Sequence, residues 1–269
     1  MSKKIIILFF LFFSLLSYKV IASDADQVNT DSEDFETTTI EDEIYDPFEP
    51  VNRAIFSFNN VADRIVLEPI AKGYKKLPSP LQSGINNFLS NLRAPLVVVN
   101  QLLQGQGENA IQSSGRFIVN STIGILGLID VADYLGFPEY EKEDYGQSLA
   151  TMGVGPGCYL VLPVLGPSTV RDATASVANL VGGDAWYNIT VNNDTQYFSD
   201  FDYYASRVTA GVDFRAKNFD SIENLQKNSL DFYVSVKSLY LQDRQQKILN
   251  SQKVIETQDD SDWEEIETQ

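Results

Sequence analysis

The chain has 269 residues, no histidine, a single cysteine and a formal net charge of −17. Without histidine there is no Ser-His-Asp or Cys-His catalytic unit, and one cysteine forms neither an intramolecular disulfide nor a CxxC zinc or redox motif. The pI near 4.3 argues against nucleic-acid binding, which needs clustered Lys and Arg. Carboxylate chemistry, a binding module or a structural protein remain.

Residues 1–22 have the pattern of a secretory signal peptide. Two lysines precede a mostly apolar run from Ile5 to Leu16, which is shorter than the roughly 20 residues of a membrane span. Val20 and Ala22 fit the small-residue positions before a cleavage site. No cysteine lies near that site to be acylated, so we expect an exported protein without a lipid anchor. An uncleaved membrane anchor is the alternative.

The negative charge is concentrated at the two ends. Residues 23–49 hold eleven acids and no base, residues 253–269 hold seven acids and one lysine, and residues 50–252 hold 19 acids and 16 bases. Such polar, aperiodic ends bury too little apolar surface to offset the entropy of folding. We therefore predict disordered acidic tails at 23–45 and 251–269 around one domain at 46–250.

Between the tails, apolar residues recur at helical spacing in short segments that glycine and proline interrupt. Helices are predicted from Val51 to Pro69, from an N-cap at Ser79, beyond Pro95, from an N-cap at Ser168 to Leu180, and after an N-cap at Ser229. We find no convincing run of alternating strands and no internal repeat. The fold class is therefore mainly α.

Gly153, Gly155 and Gly157 form a bend in the sequence Gly-Val-Gly-Pro-Gly that neither a helix nor a strand accepts. The single cysteine, Cys158, follows in an apolar stretch and is predicted to be buried. After residue 22 no segment is long and apolar enough to span a bilayer upright, although the segment from Pro95 to Leu128 could lie within one leaflet.

From about Asp46 to Gln246 the chain resembles the MlaA (VacJ) family. The matches include Asp46-Pro47-Phe48-Glu49-Pro50-Val51-Asn52-Arg53, Asn100-Gln101-Leu102-Leu103-Gln104-Gly105, Arg116-Phe117-Ile118-Val119-Asn120 and Gly166-Pro167-Ser168-Thr169-Val170-Arg171-Asp172. Family members are commonly lipoproteins, and this sequence lacks their lipobox cysteine. The motif residues that we single out are Asp46, Pro47, Asn52, Arg53, Arg171 and Asp172.

The resemblance implies a single ring-like helical domain in the inner leaflet of the outer membrane. Its channel would remove mislocalised phospholipids from the outer leaflet, pass them to a soluble periplasmic carrier of the MlaC type and so maintain lipid asymmetry. It also implies association with a trimeric porin, no cofactor, no metal and no catalytic residue. Two alternatives stay open: an envelope scaffold that binds porins without handling lipid, and a hydrolase using carboxylate pairs such as Asp130 with Asp133 or Glu143 with Asp144.

A lipid channel needs polar groups for headgroups, and amides supply hydrogen bonds without a desolvated charge. The channel and headgroup candidates are Asn87, Asn91, Asn100, Gln104, Arg116 and Asn120; capping of helices or tying of loops is the alternative role. Arg53 and Arg116 could bind phosphate or pair with Asp63, Asp130 or Asp144, and Arg171 with Asp172 is predicted to be a structural ion pair. Gly153, Gly155 and Gly157 are candidates for a gating loop, with a static turn as the alternative.

Overall fold

The structure is a computed structural model that describes residues 46–139, 142–179, 184–191 and 198–267. The predicted signal peptide and the N-terminal acidic tail lie outside the described residues. The described part belongs to one compact unit that starts at Asp46.

The described chain is predominantly helical, which confirms the mainly α prediction. The first helix and the second are joined by a π-helical turn at Asp63–Leu67, and the only sheet in the described residues has two strands. In chain order the elements are α1 (Glu49–Ala62), α2 (Glu68–Tyr74), α3 (Ser79–Leu103), α4 (Gly107–Thr122), α5 (Val131–Tyr134), α6 (Tyr145–Thr151), β1 (Tyr159–Leu162), β2 (Gly166–Thr169), α7 (Val170–Ala178), α8 (Ala185–Thr190), α9 (Asp200–Lys217), α10 (Phe219–Asn228) and α11 (Phe232–Glu267).

The prediction of a helix break at Pro95 is wrong, because α3 passes through that proline without interruption. An interior proline removes one backbone hydrogen bond, and the long packing contact of α3 with α4 offsets this loss. The start of α3 also differs by one residue. Ser79 is the first helical residue and Pro80 the second, and Ser79 makes no capping hydrogen bond.

A short β-hairpin precedes α7, where the sequence suggested no strand. Strands β1 and β2 are antiparallel, with Tyr159 opposite Thr169. Because β2 takes up Ser168, α7 begins only at Val170, and the Thr169 hydroxyl caps it by accepting a hydrogen bond from the Asp172 amide at 3.3 Å. Cys158, just before β1, is half-buried rather than fully buried, and burial raises the pKa of its thiol.

Helix α11 runs to Glu267, through a segment for which we expected a disordered tail from residue 251. The helix packs against α6 and β2, and a helix that is already nucleated extends at low cost through Gln, Lys and Glu. Its start also differs from the expected cap at Ser229. Asp231 stands before the first turn, and its carboxylate accepts a hydrogen bond from the Val234 amide at 3.2 Å.

The described residues bury more polar and charged side chains than apolar ones, and many of the buried apolar residues are alanines. Large apolar side chains instead point outward. On α4, Ile111 is 75% exposed and Ile118 is 59% exposed. Within the described part of the chain, no helix combines the length and hydropathy that crossing a bilayer requires.

The loop after α4 exposes further apolar side chains in a restricted backbone conformation. Ile125 and Leu126 have positive φ angles of 53° and 58°, which β-branched and bulky residues rarely adopt. The amide of Leu126 donates to the Ser121 carbonyl at 3.2 Å, and the loop is therefore held by its own hydrogen bonds. Its exposed members are Ile123, Ile125, Leu126, Leu128 and Ile129.

Asp172 is the centre of a buried charge network that joins α6, α7 and α11. Its carboxylate accepts hydrogen bonds from Arg171 Nε at 2.9 Å, Arg244 Nε at 2.9 Å and Tyr240 Oη at 2.7 Å. Arg244 also donates to Asp144, the N-cap residue of α6, at 2.6 Å. Burial by itself raises the pKa of Asp172, but the hydrogen bonds and charge of Arg244 outweigh it and hold this pKa at about 2.

Replacing Asp172 by Asn should destabilise the protein by about 3 kcal/mol, because two buried guanidiniums lose their shared counter-charge. This loss of stability lies at the lower end of the range for breaking a buried ion pair, because Arg244 retains its ion pair with Asp144. The control is Asp243→Asn, which breaks only an exposed pair with Lys247 and should leave stability near that of the wild type. Chemical denaturation measures both, and equal stability of the two variants would contradict the role of the network.

Candidate functional site

Three adjoining cavities lie beside α3, and Arg93 lines all of them. The first, of about 290 Å³, lies between α3 and α9. Its wall is mostly apolar and small, with Leu89, Leu92 and Leu96 from α3 and with Ala210, Gly211 and Phe214 from α9. Its charged residues are Arg93, Arg207 and Asp184.

The second and third cavities carry more polar walls. The second, of about 270 Å³, reaches from α3 and α9 to the Arg116–Asp130 ion pair. The third, of about 300 Å³, is bordered by the Asp172 network and by Arg207. Together they form what we call the α3 cavities, spaces with an apolar side next to α9 and charged sides elsewhere.

Two of the predicted amides, Asn87 and Asn120, line the second cavity together with Arg116. Asn120 is also engaged in the fold: its amide donates to Asp130 at 2.9 Å and its oxygen accepts from the Ala132 amide at 2.9 Å. Arg116 pairs with Asp130 and donates to the Phe137 carbonyl at 2.9 Å.

The other three predicted channel residues do not line any of the α3 cavities. Asn91 donates to the Ser121 hydroxyl at 2.9 Å and thus ties α3 to the end of α4. Asn100 accepts from the Ser148 hydroxyl at 2.7 Å, and Gln104 donates to Glu143 at 2.9 Å. All three side chains are buried. They link helices, which is the alternative role considered from the sequence.

The N-terminal motif holds α1 to the hairpin. The buried Asn52 amide donates to the Tyr159 carbonyl at 3.1 Å and to Asp46 at 2.8 Å, and its oxygen accepts from the Val161 amide at 2.9 Å. Asn59, seven residues later, repeats the pattern on the next part of the hairpin, with Leu162 O at 2.9 Å and Val164 N at 2.8 Å.

The charged motif residues attach the same region to α11. Asp46, which precedes Pro47 in the turn before α1, accepts hydrogen bonds from Tyr233 Oη at 2.5 Å and Lys237 Nζ at 3.3 Å. Arg53 pairs with Asp231 at 2.8 Å, with its guanidinium 4.4 Å from the centre of the Tyr233 ring. Its partners are therefore Asp231 and Glu49, and not the carboxylates expected from the sequence.

The glycine bend lies outside the α3 cavities and is tied at both ends. The Val154 amide donates to Leu149 O at 2.9 Å, and the Arg171 amide donates to Pro156 O at 3.1 Å. Gly153 and Gly157 have φ angles of 87° and 70°, whereas Gly155 needs no such conformation. A Cβ on Gly157 would lie 2.9 Å from Val170 Cβ, but a Cβ on Gly155 would meet nothing within 4 Å.

Three of the four carboxylates considered for hydrolysis are engaged in structural contacts, and the fourth, Asp133, is exposed. Asp130 pairs with Arg116 and caps α5, Glu143 accepts from Gln104 and Ser251, and Asp144 pairs with Arg244. In the ranges that the structure describes, no group of three acidic or cysteine side chains is arranged to hold a metal ion.

Sequence reasoning missed Arg93, the residue common to the three cavities. A signal was present, because Arg93 is the only charged residue among the 25 residues of α3. Its side chain is exposed in the cavities that it lines. Burial lowers the pKa of its guanidinium, and the nearby positive charge of Arg207 lowers it further.

Comparison with known proteins finds the same family along most of the chain. A family model described as "MlaA lipoprotein" matches residues 44–247. A protein of Rickettsia felis is 39% identical over 198 residues, which cover 73% of this chain and 75% of the relative. Proteins named "Intermembrane phospholipid transport system lipoprotein MlaA" match from Haemophilus influenzae, with 31% identity over 80% of this chain and 83% of the relative, and from Escherichia coli, with 32% identity over 73% and 76%.

A solved structure has a similar fold. It was described under "Structural basis for maintenance of bacterial outer membrane lipid asymmetry", and it matches with a TM-score of 0.64 and 32% identity, covering 76% of this chain and 99% of the solved one. On the strength of the family model, the relatives and this fold, the chain belongs to the MlaA family.

Proposed function

We propose that this chain is an outer-membrane-associated channel that removes mislocalised phospholipids from the outer leaflet and passes them to a periplasmic carrier. The MlaA relatives are named for intermembrane phospholipid transport, and the solved relative concerns outer-membrane lipid asymmetry. The observation that carries the proposal is the distribution of polar and apolar side chains in this chain. Large apolar side chains face outward, and cavities with polar walls and one apolar wall lie inside.

The exposed apolar side chains support a position within one leaflet. A soluble protein rarely exposes large contiguous apolar patches, because their contact with water is unfavourable. Exposed apolar residues lie on α1, on α4 and in the loop after α4, where they would contact acyl chains. Phe58 and Val61 on α1 and Ile65 in the π-helical turn that follows it are each more than half exposed.

The relatives are named lipoproteins, which conflicts in part with our expectation of a protein without an acyl anchor. The single cysteine of the sequence, Cys158, lies beside β1 in the middle of the domain. We propose that the exposed apolar surface supplies the attachment to the membrane. Export by the signal peptide 1–22 belongs to the same proposal.

The partners in this proposal are a soluble lipid carrier of the MlaC type and a trimeric porin, both taken from the family resemblance. The carrier would receive phospholipid on the periplasmic side, and the porin would position the chain in the bilayer. The role is transport and not catalysis, in keeping with carboxylates that are engaged in structural pairs.

The glycine bend is proposed as the moving part. Gly155 has free space around it, while hydrogen bonds on each side of the bend restrain the neighbouring residues. Because the bend does not line the α3 cavities, its effect on lipid passage would come through α7, which follows the hairpin and borders the third cavity.

Protein extracted in mild detergent should carry phospholipid after purification, because the α3 cavities offer polar and apolar walls together. Lipid extraction followed by mass spectrometry measures this, with a soluble periplasmic protein purified in the same detergent as the control. Membrane fractionation should find the chain with the outer membrane. A protein that is fully soluble and free of lipid would contradict the channel proposal and favour the alternative, an envelope scaffold that does not handle lipid.

Gly211→Phe should block transport without unfolding the protein. Gly211 lines the first cavity on α9, and a Cβ there meets nothing within 4 Å, so the ring would occupy the cavity. Stability should change by less than about 1 kcal/mol, since glycine is itself unfavourable inside a helix. The variant is expressed in a strain that lacks the gene, and the amount of phospholipid exposed at the cell surface shows whether transport is rescued.

The control for that substitution is Gly73→Phe. Gly73 is also a helical glycine whose added Cβ meets nothing within 4 Å, and it lies on α2 outside the α3 cavities. We expect full rescue by Gly73→Phe and loss of rescue by Gly211→Phe. Equal rescue by both variants would show that phospholipid does not pass beside α9.

Gly155→Leu should change the rate of phospholipid transfer while the melting temperature stays near that of the wild type, because the bend accepts the side chain without a clash. Gly153→Leu is less suitable, since its φ of 87° makes any side chain strained. Gly73→Leu is the matched control. An unchanged transfer rate in Gly155→Leu would make the bend a static turn.

A further inference from the structure

Arg93 lines all three α3 cavities, and among the described residues it lacks an ion pair there, as does Lys142 in the second cavity, whereas the other cations of these cavities are paired. Arg207 pairs with Asp184, Arg244 pairs with Asp144 and Asp172, Arg116 pairs with Asp130, and Lys217 pairs with Asp213. Arg93 forms no ion pair or hydrogen bond with any residue that the structure describes. Its donors therefore point into space that protein atoms leave open.

The Arg93 side chain has room for a partner, because it is exposed in the cavities that it lines. The Arg93 side chain is exposed toward the cavities, but the protein around it still removes part of its hydration, and this lowers the pKa of the guanidinium. The positive charge of Arg207 lowers this pKa further, whereas the negative charges of Asp144 and Asp184 raise it. An anion beside Arg93 would relieve both penalties at once.

The surroundings of Arg93 limit the chemistry of that anion. Leu89 and Leu92 precede it on α3, Leu96 follows it by one turn, and Phe214 faces it from α9. An anion that binds here meets a cation and an apolar wall within one cavity. A small inorganic ion would leave the apolar wall unused, whereas a phosphodiester that carries acyl chains would use both.

We propose that Arg93 is the phosphate-binding residue of the α3 cavities and takes the phosphodiester of a glycerophospholipid headgroup. The planar guanidinium presents paired donors that match two phosphate oxygens, which a lysine ammonium cannot do. The apolar wall next to it would contact the glycerol and the first acyl carbons. This inference rests on the proposed function and names the residue by which that site recognises its lipid.

The lack of a protein partner separates this role from a structural one. Removal of a paired arginine leaves a buried carboxylate uncompensated and destabilises the fold. Removal of Arg93 leaves no such carboxylate among the described residues, so Arg93→Gln should keep or raise the melting temperature. Its effect should appear in lipid binding alone.

The test compares full-length wild type, Arg93→Gln, Arg93→Lys and the control Arg64→Gln. Arg64 is an exposed arginine outside the α3 cavities, and no ion pair involves it in the described chain. The probes are dihexanoyl phosphatidylglycerol, dihexanoylglycerol without a phosphate, and inorganic phosphate. Binding is measured by titration calorimetry in one detergent.

We expect Arg93→Gln to bind the short-chain phospholipid about 10- to 100-fold more weakly, the usual range for a lost charge-assisted hydrogen bond, and Arg93→Lys to lie in between. Arg64→Gln should bind like the wild type, and the phosphate-free diacylglycerol should bind all four proteins alike. Inorganic phosphate should bind far more weakly than the phospholipid.

Three results would overturn the assignment while leaving the proposed function intact. They are unchanged phospholipid binding in Arg93→Gln, an equal loss in Arg64→Gln, and a fall in the melting temperature of Arg93→Gln that accounts for its weaker binding. If inorganic phosphate binds as tightly as the phospholipid, Arg93 belongs to a site for free phosphate and not for lipid. A wild-type chain that binds no phospholipid at all would instead refute the proposed function.

Discussion

The fold depends on the pairing of charges and amides that have been withdrawn from water. In an ordinary soluble domain, apolar side chains fill the interior and supply most of the stability. Here many buried positions are polar, so their donors and acceptors need partners inside the protein, and most side chains find at least one. Asp172 meets that demand for three helices together, and Asn52 does so for the hairpin.

This constraint also explains why alanine is so common among the buried apolar residues. Small side chains let helix backbones approach one another closely enough for the polar contacts to form, as Ala94 does on α3 and Ala216 on α9. Large apolar side chains would separate the helices, and the chain carries them on its outer surface instead. The inside of the molecule is therefore specified by hydrogen-bond geometry more than by the volume of its side chains.

The sequence could predict the helical character, because apolar residues recur every three or four positions through most of the domain. It could not predict that α3 continues through Pro95, since the packing that sustains the helix comes from α4, which is distant from the local pattern. The hairpin was missed because each of its strands has only four residues and β2 contains glycine and proline.

At the candidate site, amide composition was a poor guide to position. Asn91, Asn100 and Gln104 have the same chemistry as Asn87, yet they serve the fold, because a buried amide satisfies neighbouring helices as well as it would a headgroup. A single charge within a long uncharged helix was the more informative signal, and it identifies Arg93.

Helix α1 and the hairpin share a common spacing. The seven residues from Asn52 to Asn59 advance a helix by about 10.5 Å, and the three residues from Tyr159 to Leu162 advance a strand by about 10 Å. The two side-chain amides can therefore bind the hairpin backbone at both points only when the elements are aligned in one way. Because both asparagines bind the hairpin backbone, the hairpin cannot slide along α1 by one residue without losing all four of these hydrogen bonds. Any displacement near the glycine bend must then either carry α1 with the hairpin as one body or be absorbed entirely by the bend itself.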